Sequence, residues 1–343
     1  MKHLEEQWLA EICPVEALDW AATYFPLASG RYEVKPGLHR FGTDFGNGEA
    51  DQQVFQLDEN FAYYHDLKQL ARQEQLSKYL QTCEYADSVA TAIAQFIIHR
   101  LLQEHPQYFE LAMQANGMVS LFNHLTQEKL VFNSAYQLQS VHAPMHTPAP
   151  PYRCSLDALA NQIQEDVTVV RRQGDRHWMS AIHLCFPNHW AAEAKIGQPF
   201  ATVHQPVAGM ESMNRRGDAI VHTMITHKPA VRFAWGLSTD TRLNHHPHPP
   251  IGIDPARWHG RKFDLTAPRL YLRVERQVVW GFPGVDAALF TIRTSFRDCR
   301  SLKQDEGLRS NLCAALRSMS AAALAYKGLT HSQPEILKWL EEP

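Results

Sequence analysis

Residues 271–295 read YLRVERQVVWGFPGVDAALFTIRTS, two stretches of alternating apolar and polar side chains joined by the turn-rich GFPGVD. Side chains of a strand point to opposite faces in turn, so this pattern predicts an antiparallel hairpin. Arg273, Glu275 and Gln277 then share one face, and Val274, Val278 and Trp280 the other, with Arg276 among them. On the return strand Thr291, Arg293 and Ser295 share a face, and Ala288, Phe290 and Ile292 take the opposite one. A register placing Glu275 opposite Arg293 gathers the polar residues on one side, apart from Arg276 and Thr294, and makes a cross-strand charge pair. Two readings stay open. The polar face is the solvated side of a half-buried sheet, or it lines an internal site in which Glu275 and the arginines act. Under both, Arg276 interrupts an apolar face and needs a carboxylate or another anion.

The rest of the chain puts helices around such a sheet. Residues 1–57 are rich in turn signals; DENFAYYHDLKQLARQEQLSKYL and DSVATAIAQFIIHRLLQEHP read as helices, the second stopped by Pro106. A short helix and a hairpin are expected over 111–133, and a Pro-rich linker over 142–154. SLDALANQIQED is a helix, followed by strands VTVVRR and HWMSAIHLCF about the turn QGD. PNHWAAEAK is a short helix, FATVHQPV a strand, 210–226 a helix and VRFAWGL a strand; NHHPHPPIGIDPARWHGRK is a long loop, and helices close the chain. Neighbouring strands without regular crossover helices predict α+β with an antiparallel sheet. The expected organisation is one domain over 1–343, with a mainly helical part over 1–150, a sheet core over 151–300 and helices over 301–343.

Composition narrows the function. With 343 residues, 45% of them hydrophobic, the chain can enclose a cofactor. A net charge of −3 gives no footprint for nucleic acid or an anionic membrane. No apolar run has the roughly 18–20 residues of a membrane span, and the acidic start lacks the apolar core of a secretory signal. Six scattered cysteines without a CxxC exclude a zinc ribbon, an iron–sulfur cluster and covalent c-type haem, and read as thiols of a reducing, cytoplasmic compartment.

Nineteen histidines direct attention to metal or haem chemistry. His183 falls in an apolar strand and reads as a core histidine. His189 falls in a turn and reads as exposed. His204, ahead of Gln205-Pro206, has the strand-end position of an axial ligand, with a plain structural histidine as the alternative. NHHPHPP (244–250) brings three histidines together, but prolines hold the loop extended and no acid or cysteine completes a set, so it reads as surface histidines. HExxH, GxSxG, P-loop and GxGxxG patterns are absent.

An ordered series of segments carries a resemblance: PGLHRFG, VFQLDENF, IQEDVTVV, LCFPNHWAAEAKIGQPFATVHQPV, VRFAWGLSTDTRL and LRVERQVVWGFPGVDAALFTIRTS. Together they resemble the haem-binding alpha subunit family of haem-dependent oxidative N-demethylase over roughly residues 25 to 300. The resemblance implies a PAS-like antiparallel sheet with N- and C-terminal helical additions, non-covalent haem b, and dioxygen activation on a small methylated amine with release of formaldehyde. It also implies electrons from NADPH through a separate flavin and iron–sulfur reductase partner. On that basis His204 is the iron ligand, with His183 second. Arg232, Arg273 and Arg276 are candidates for the propionates, and Trp235 for packing on the porphyrin. Glu275, with Arg273 beside it, is the catalytic candidate, holding a cationic amine or relaying protons. The family tends to have a PVP-like sequence after the histidine and an Asn-Trp pair, where this chain has Gln205-Pro206-Val207-Ala208 and Ala234-Trp235. Ala234 bears on which amine is accepted. A haem-binding gas or redox sensor and a haem-less scaffold of the same fold are the alternatives.

Overall fold

The computed structural model describes residues 2–114, 117–144, 147–259 and 262–342. The fold is α+β with two antiparallel sheets. Strands are His39–Arg40 (β1), Leu80–Thr82 (β2), Phe109–Met113 (β3), Val119–Asn123 (β4), Glu128–Phe132 (β5), Leu138–His142 (β6), Asp166–Gln173 (β7), Arg176–His183 (β8), Ala230–Ser238 (β9), Tyr271–Phe282 (β10) and Ala287–Asp298 (β11). The larger sheet runs β1-β9-β10-β11-β7-β8-β2; the smaller runs β3-β4-β5-β6.

The smaller sheet replaces the short helix and hairpin expected over residues 111–133. Helices Phe61–Tyr79 and Asp87–Glu104 form as expected, but 109–142 is a four-stranded meander with no helix among the described residues. Strands β4 and β5 carry their apolar residues at alternate positions (Val119, Leu121; Leu130, Phe132), and these are buried. Of the Pro-rich stretch, Met145 and His146 lie outside the described residues.

The hairpin forms with a register one residue from the expected one. Glu275 pairs with Thr294, and Arg276 with Arg293. The cause is the tight turn: Pro283–Val285 is a short 3-10 segment, and Asp286 (φ 52°) turns the chain in left-handed backbone, so pairing starts at Phe282↔Ala287. Directly opposed residues share a face, so a slip of one exchanges the faces. Arg293 moves to the side of Arg276. Arg273, Glu275, Gln277 and Val279 meet Phe296, Thr294, Ile292 and Phe290 instead.

That exchange decides what each face covers. Val231, Val278, Leu289, Val167 and Val169 pack in one core with the helix Asp87–Glu104 and the smaller sheet. Leu272 and Val274, further along β10, pack with the C-terminal helices Glu306–Arg317, Ala321–Tyr326 and Gln333–Glu341. Across the opposite face lie three helices, Phe200–His204, Glu211–Asn214 and Gly217–Thr226, the last packed on Val170 and Ala288. At its end the approach is so close that a Cβ on Gly281 would sit 2.1 Å from the Ile225 carbonyl oxygen. Elsewhere the buried Lys68 ammonium donates to the carbonyls of Ala160, Ile163 and Glu165 at 2.7, 2.9 and 2.6 Å, tying helix Phe61–Tyr79 to the approach to β7.

Because the obstacle at Gly281 is backbone, Gly281→Ala is expected to destabilise the protein by roughly 1–3 kcal/mol or more. Chemical denaturation of the two proteins checks it. A loss below about half a kcal/mol would mean that helix and strand are not in this contact.

Candidate functional site

Between the sheet and the three covering helices is a cavity of about 2100 Å³, against roughly 300–1,000 Å³ for a typical small-molecule pocket. Its floor comes from strand alternation: Glu275, Gln277 and Val279 of β10, Phe290 and Ile292 of β11, Thr168 and Val170 of β7, and Met179 of β8. Beside Glu275, β9 contributes Ala234, so no side chain beyond a methyl crowds that carboxylate from its neighbouring strand. The roof includes Phe200, Val203, Met213, Ile220 and Met224. The middle is apolar, and polar and charged groups stand around it.

His204 is one of those polar groups. The strand expected for FATVHQPV is instead the helix Phe200–His204, started after Pro199. Proline fixes its own φ and lacks an N–H, so it sits readily ahead of a first turn. The four-residue separation brings His204 Nδ1 2.8 Å from the Phe200 carbonyl oxygen. A carbonyl can only accept, so Nδ1 carries the proton and Nε2 is the bare lone-pair nitrogen. The ring lies on that of Phe200, centroids 4.1 Å apart. Burial lowers the imidazole's proton affinity, outweighing the Phe200 hydrogen bond, and the Arg232 charge lowers it further, so the ring is neutral. A neutral imidazole with its other nitrogen anchored is the form that ligates iron.

Glu275 stands among cations. Arg273 Nε is 3.7 Å from its carboxylate and Gln277 donates to it at 3.0 Å. Arg232 and Lys327 also feel its charge. Arg232 Nε is buried without a hydrogen-bond partner among the described residues. Lys327 donates to the Trp235 carbonyl at 2.6 Å; burial lowers its proton affinity and Glu275 partly restores it. Tyr326 and Lys327 line the cavity from the end of a C-terminal helix.

Behind Arg273 runs a network that the sequence reading missed. Its guanidinium donates to the carbonyls of Phe186 (2.9 Å) and Leu243 (3.1 Å) and to His245 Nδ1 (3.3 Å). His245 Nε2 therefore carries the ring proton and donates to Asp240 at 3.1 Å. Burial pushes Asp240 up, but His245 and Arg242 outweigh it and hold the carboxyl well below its usual range. Burial lowers His245 to about 4, against the help of Asp240. His189, in left-handed backbone (φ 60°), lines the cavity with its ring parallel to that of His245 at 5.3 Å.

The expected site residues thus divide. His204, Arg232, Arg273 and Glu275 line one cavity. Trp235 borders it too, but alternation turns its ring opposite Val274 and edge-on to Tyr32 at 5.8 Å. Arg276 is a correction to the set: it lies on the other face, donating to the Gln53 carbonyl at 2.8 Å and over the Tyr24 ring, and is not among the cavity's lining residues. The expected anion is not there: among the described residues no carboxylate lies within salt-bridge distance of Arg276, and a neutral carbonyl oxygen and a ring take its place. His183 is fully buried between Asp157 (3.5 Å) and Asn161 (3.4 Å), a core histidine. NHHPHPP is not a surface cluster: His245 and His246 are buried, and His246 accepts the His248 backbone N–H at 3.0 Å. The sequence signal was Asp240, five residues before His245, which a loop can fold back. Lys327 had no signal beyond a lysine at a helix end.

Fold and cavity define an α+β protein with a large cavity, apolar in its middle, lined by a neutral imidazole and by several charged side chains. Residues 47–337 match the family described as haem-dependent oxidative N-demethylase, alpha subunit-like, and the chain belongs to that family. A haem fits the residues present: a bare Nε2, a cavity of about 2100 Å³ with an apolar middle, and a guanidinium whose buried Nε lacks a partner among the described residues. Among the described residues no helix is long and apolar enough to cross a membrane.

His245 has its proton affinity depressed on folding, so its contribution to stability is whole above pH 6.5 and is lost as pH falls toward 4. His245→Gln is expected to remove up to about one proton from the pH dependence of unfolding in that window. Urea titrations at several pH values check it, and an unchanged slope would place His245 outside this network.

Proposed function

We propose that the chain is the haem-bearing, substrate-oxidising subunit of an oxidative N-demethylase acting on a small methylated amine. The observation that carries this is the pairing, in one cavity, of a neutral His204 whose Nε2 is bare with a carboxylate, Glu275, flanked by arginines. The five strands β9-β10-β11-β7-β8, with the covering helices inserted between β8 and β9, support a PAS-like reading of the core.

In this reading His204 Nε2 holds the iron of a non-covalent haem b, and the Phe200 carbonyl fixes the tautomer and ring plane. Arg232 answers a propionate. When bound, the haem supplies dioxygen activation at the N-methyl carbon. The overall balance is amine, O₂, two electrons and two protons giving the demethylated amine, formaldehyde and water. Electrons come from NADPH through a separate flavin and iron–sulfur chain. Glu275 accepts a hydrogen bond from the ammonium of the substrate, and Ala234 beside it leaves space for an N-alkyl group. Arg273, held by Phe186, Leu243 and His245, keeps Glu275 in place. The apolar floor excludes water from the reacting carbon.

Haem loading is expected to give a Soret band in the wild-type protein and in His183→Ala, and none in His204→Ala, read by visible spectroscopy. A band unchanged in His204→Ala removes the ligand assignment. Glu275→Gln is expected to keep the band and raise KM for secondary methylamines by roughly ten- to a hundredfold, the weight of one charge-assisted hydrogen bond. An unchanged KM removes Glu275 from amine recognition.

A further inference from the structure

The walls of the cavity carry ten lysines and arginines and two glutamates, in a chain that holds 33 basic and 36 acidic residues overall. The inner part of this excess has an account. Arg232, Arg273 and Lys327 face Glu275, a surplus of two that matches the two propionates of the haem proposed above. The outer part has none. Arg31, Arg40, Arg216 and Lys228 line the same cavity, are exposed, and have no carboxylate within salt-bridge distance among the described residues. Lys35 joins them, paired with Glu33, which is the acid besides Glu275 among the lining residues and also feels Arg31.

These cations come from separate segments that the fold joins. Arg40 pairs with Ala230 across β1 and β9, and Phe41 donates to the Pro229 carbonyl at 3.0 Å, which sets Lys228 alongside. Val34 approaches Gly209, where a Cβ would lie 3.5 Å from it, linking the 31–40 segment to the loop before Arg216. Unpaired like charges close together raise the energy of the free protein and are relieved by an opposing surface. Because they rim a cavity, that surface stands directly over the cavity's contents.

We propose that this rim is the docking surface for an acidic one-electron carrier protein, of the kind in which carboxylates surround an exposed iron–sulfur or flavin centre. The inference rests on the proposed function, which needs electrons from another chain, and adds where and by what chemistry that chain is recognised. Redox encounters have small interfaces steered by charge, and a rim of fixed cations around a cavity mouth suits one.

The test is calorimetric titration of the protein, before and after incubation with haem, with an oxidised, acidic plant-type [2Fe–2S] ferredoxin at low ionic strength. The variants are Arg40→Glu/Lys228→Glu and, as control, Lys129→Glu, an exposed lysine on the smaller sheet. Binding is expected in the wild type and in Lys129→Glu. It is expected to weaken by about tenfold or more in the double variant and on raising salt to roughly 0.2 M. The Soret band should be intact in all three. Equal affinity in all three, no binding by the wild type, or preference for a single-stranded oligonucleotide over ferredoxin each overturns the proposal. A wild type that binds ferredoxin in this charge-dependent way yet takes up no haem overturns the proposed function and leaves the docking surface standing.

Discussion

One backbone turn sets which residues see the cavity. Asp286 in left-handed backbone closes β10 onto β11 with Phe282 opposite Ala287, and every later pair follows from that one. The turn places Glu275 and Arg273 beside Phe290, Ile292 and Thr294, and sends Arg293 to the far side. A sheet has only two faces, so a register error of one residue is total. With the register fixed, charge and apolar surface separate. Arg293 finds Asp58 across the other face, and Arg276 the Gln53 carbonyl. The covering helices close over a floor that needs only small or apolar neighbours, and Gly281 allows the last of them to lie against the strand.

The second constraint is the anchoring of rings rather than their mere presence. Among the histidines discussed, those whose ring nitrogens are engaged by a carbonyl, a carboxylate or a guanidinium have a settled tautomer. His204 is tied to Phe200, and His245 lies between Asp240 and Arg273. The first leaves one nitrogen's lone pair free on a residue that lines the chamber; the second spends one nitrogen on Arg273 and the other on Asp240. Burial keeps both neutral. The same residue type thus supplies a ligand in one place and a brace in another, and the difference lies entirely in the partners.

Much of this was legible in the sequence, and the limits have physical causes. Alternation gave the hairpin and put Arg273, Glu275 and Gln277 on one face, because side-chain period is a local property. It could not give the register, which depends on a turn in which a non-glycine residue adopts positive φ. FATVHQPV read as a strand from its β-branched and aromatic residues, but Pro199 starts a short helix there. NHHPHPP read as exposed because proline excludes regular structure; its burial goes with the nearby Asp240 and with Arg273, which is 28 residues from His245. The smaller sheet was missed where short strands follow one another without a strong period. Lys327 belongs to the site only through packing of the C-terminal helices, a contact across more than fifty residues from Glu275.

That lysine has a wider consequence. Its ammonium is sheltered, bonded to one carbonyl, and steadied by a single carboxylate at a distance. An amine in that condition responds to whatever shares the chamber: a negative group arriving nearby increases its hold on a hydrogen ion, and a positive one loosens it. Filling the chamber and protonating Lys327 are therefore one coupled equilibrium.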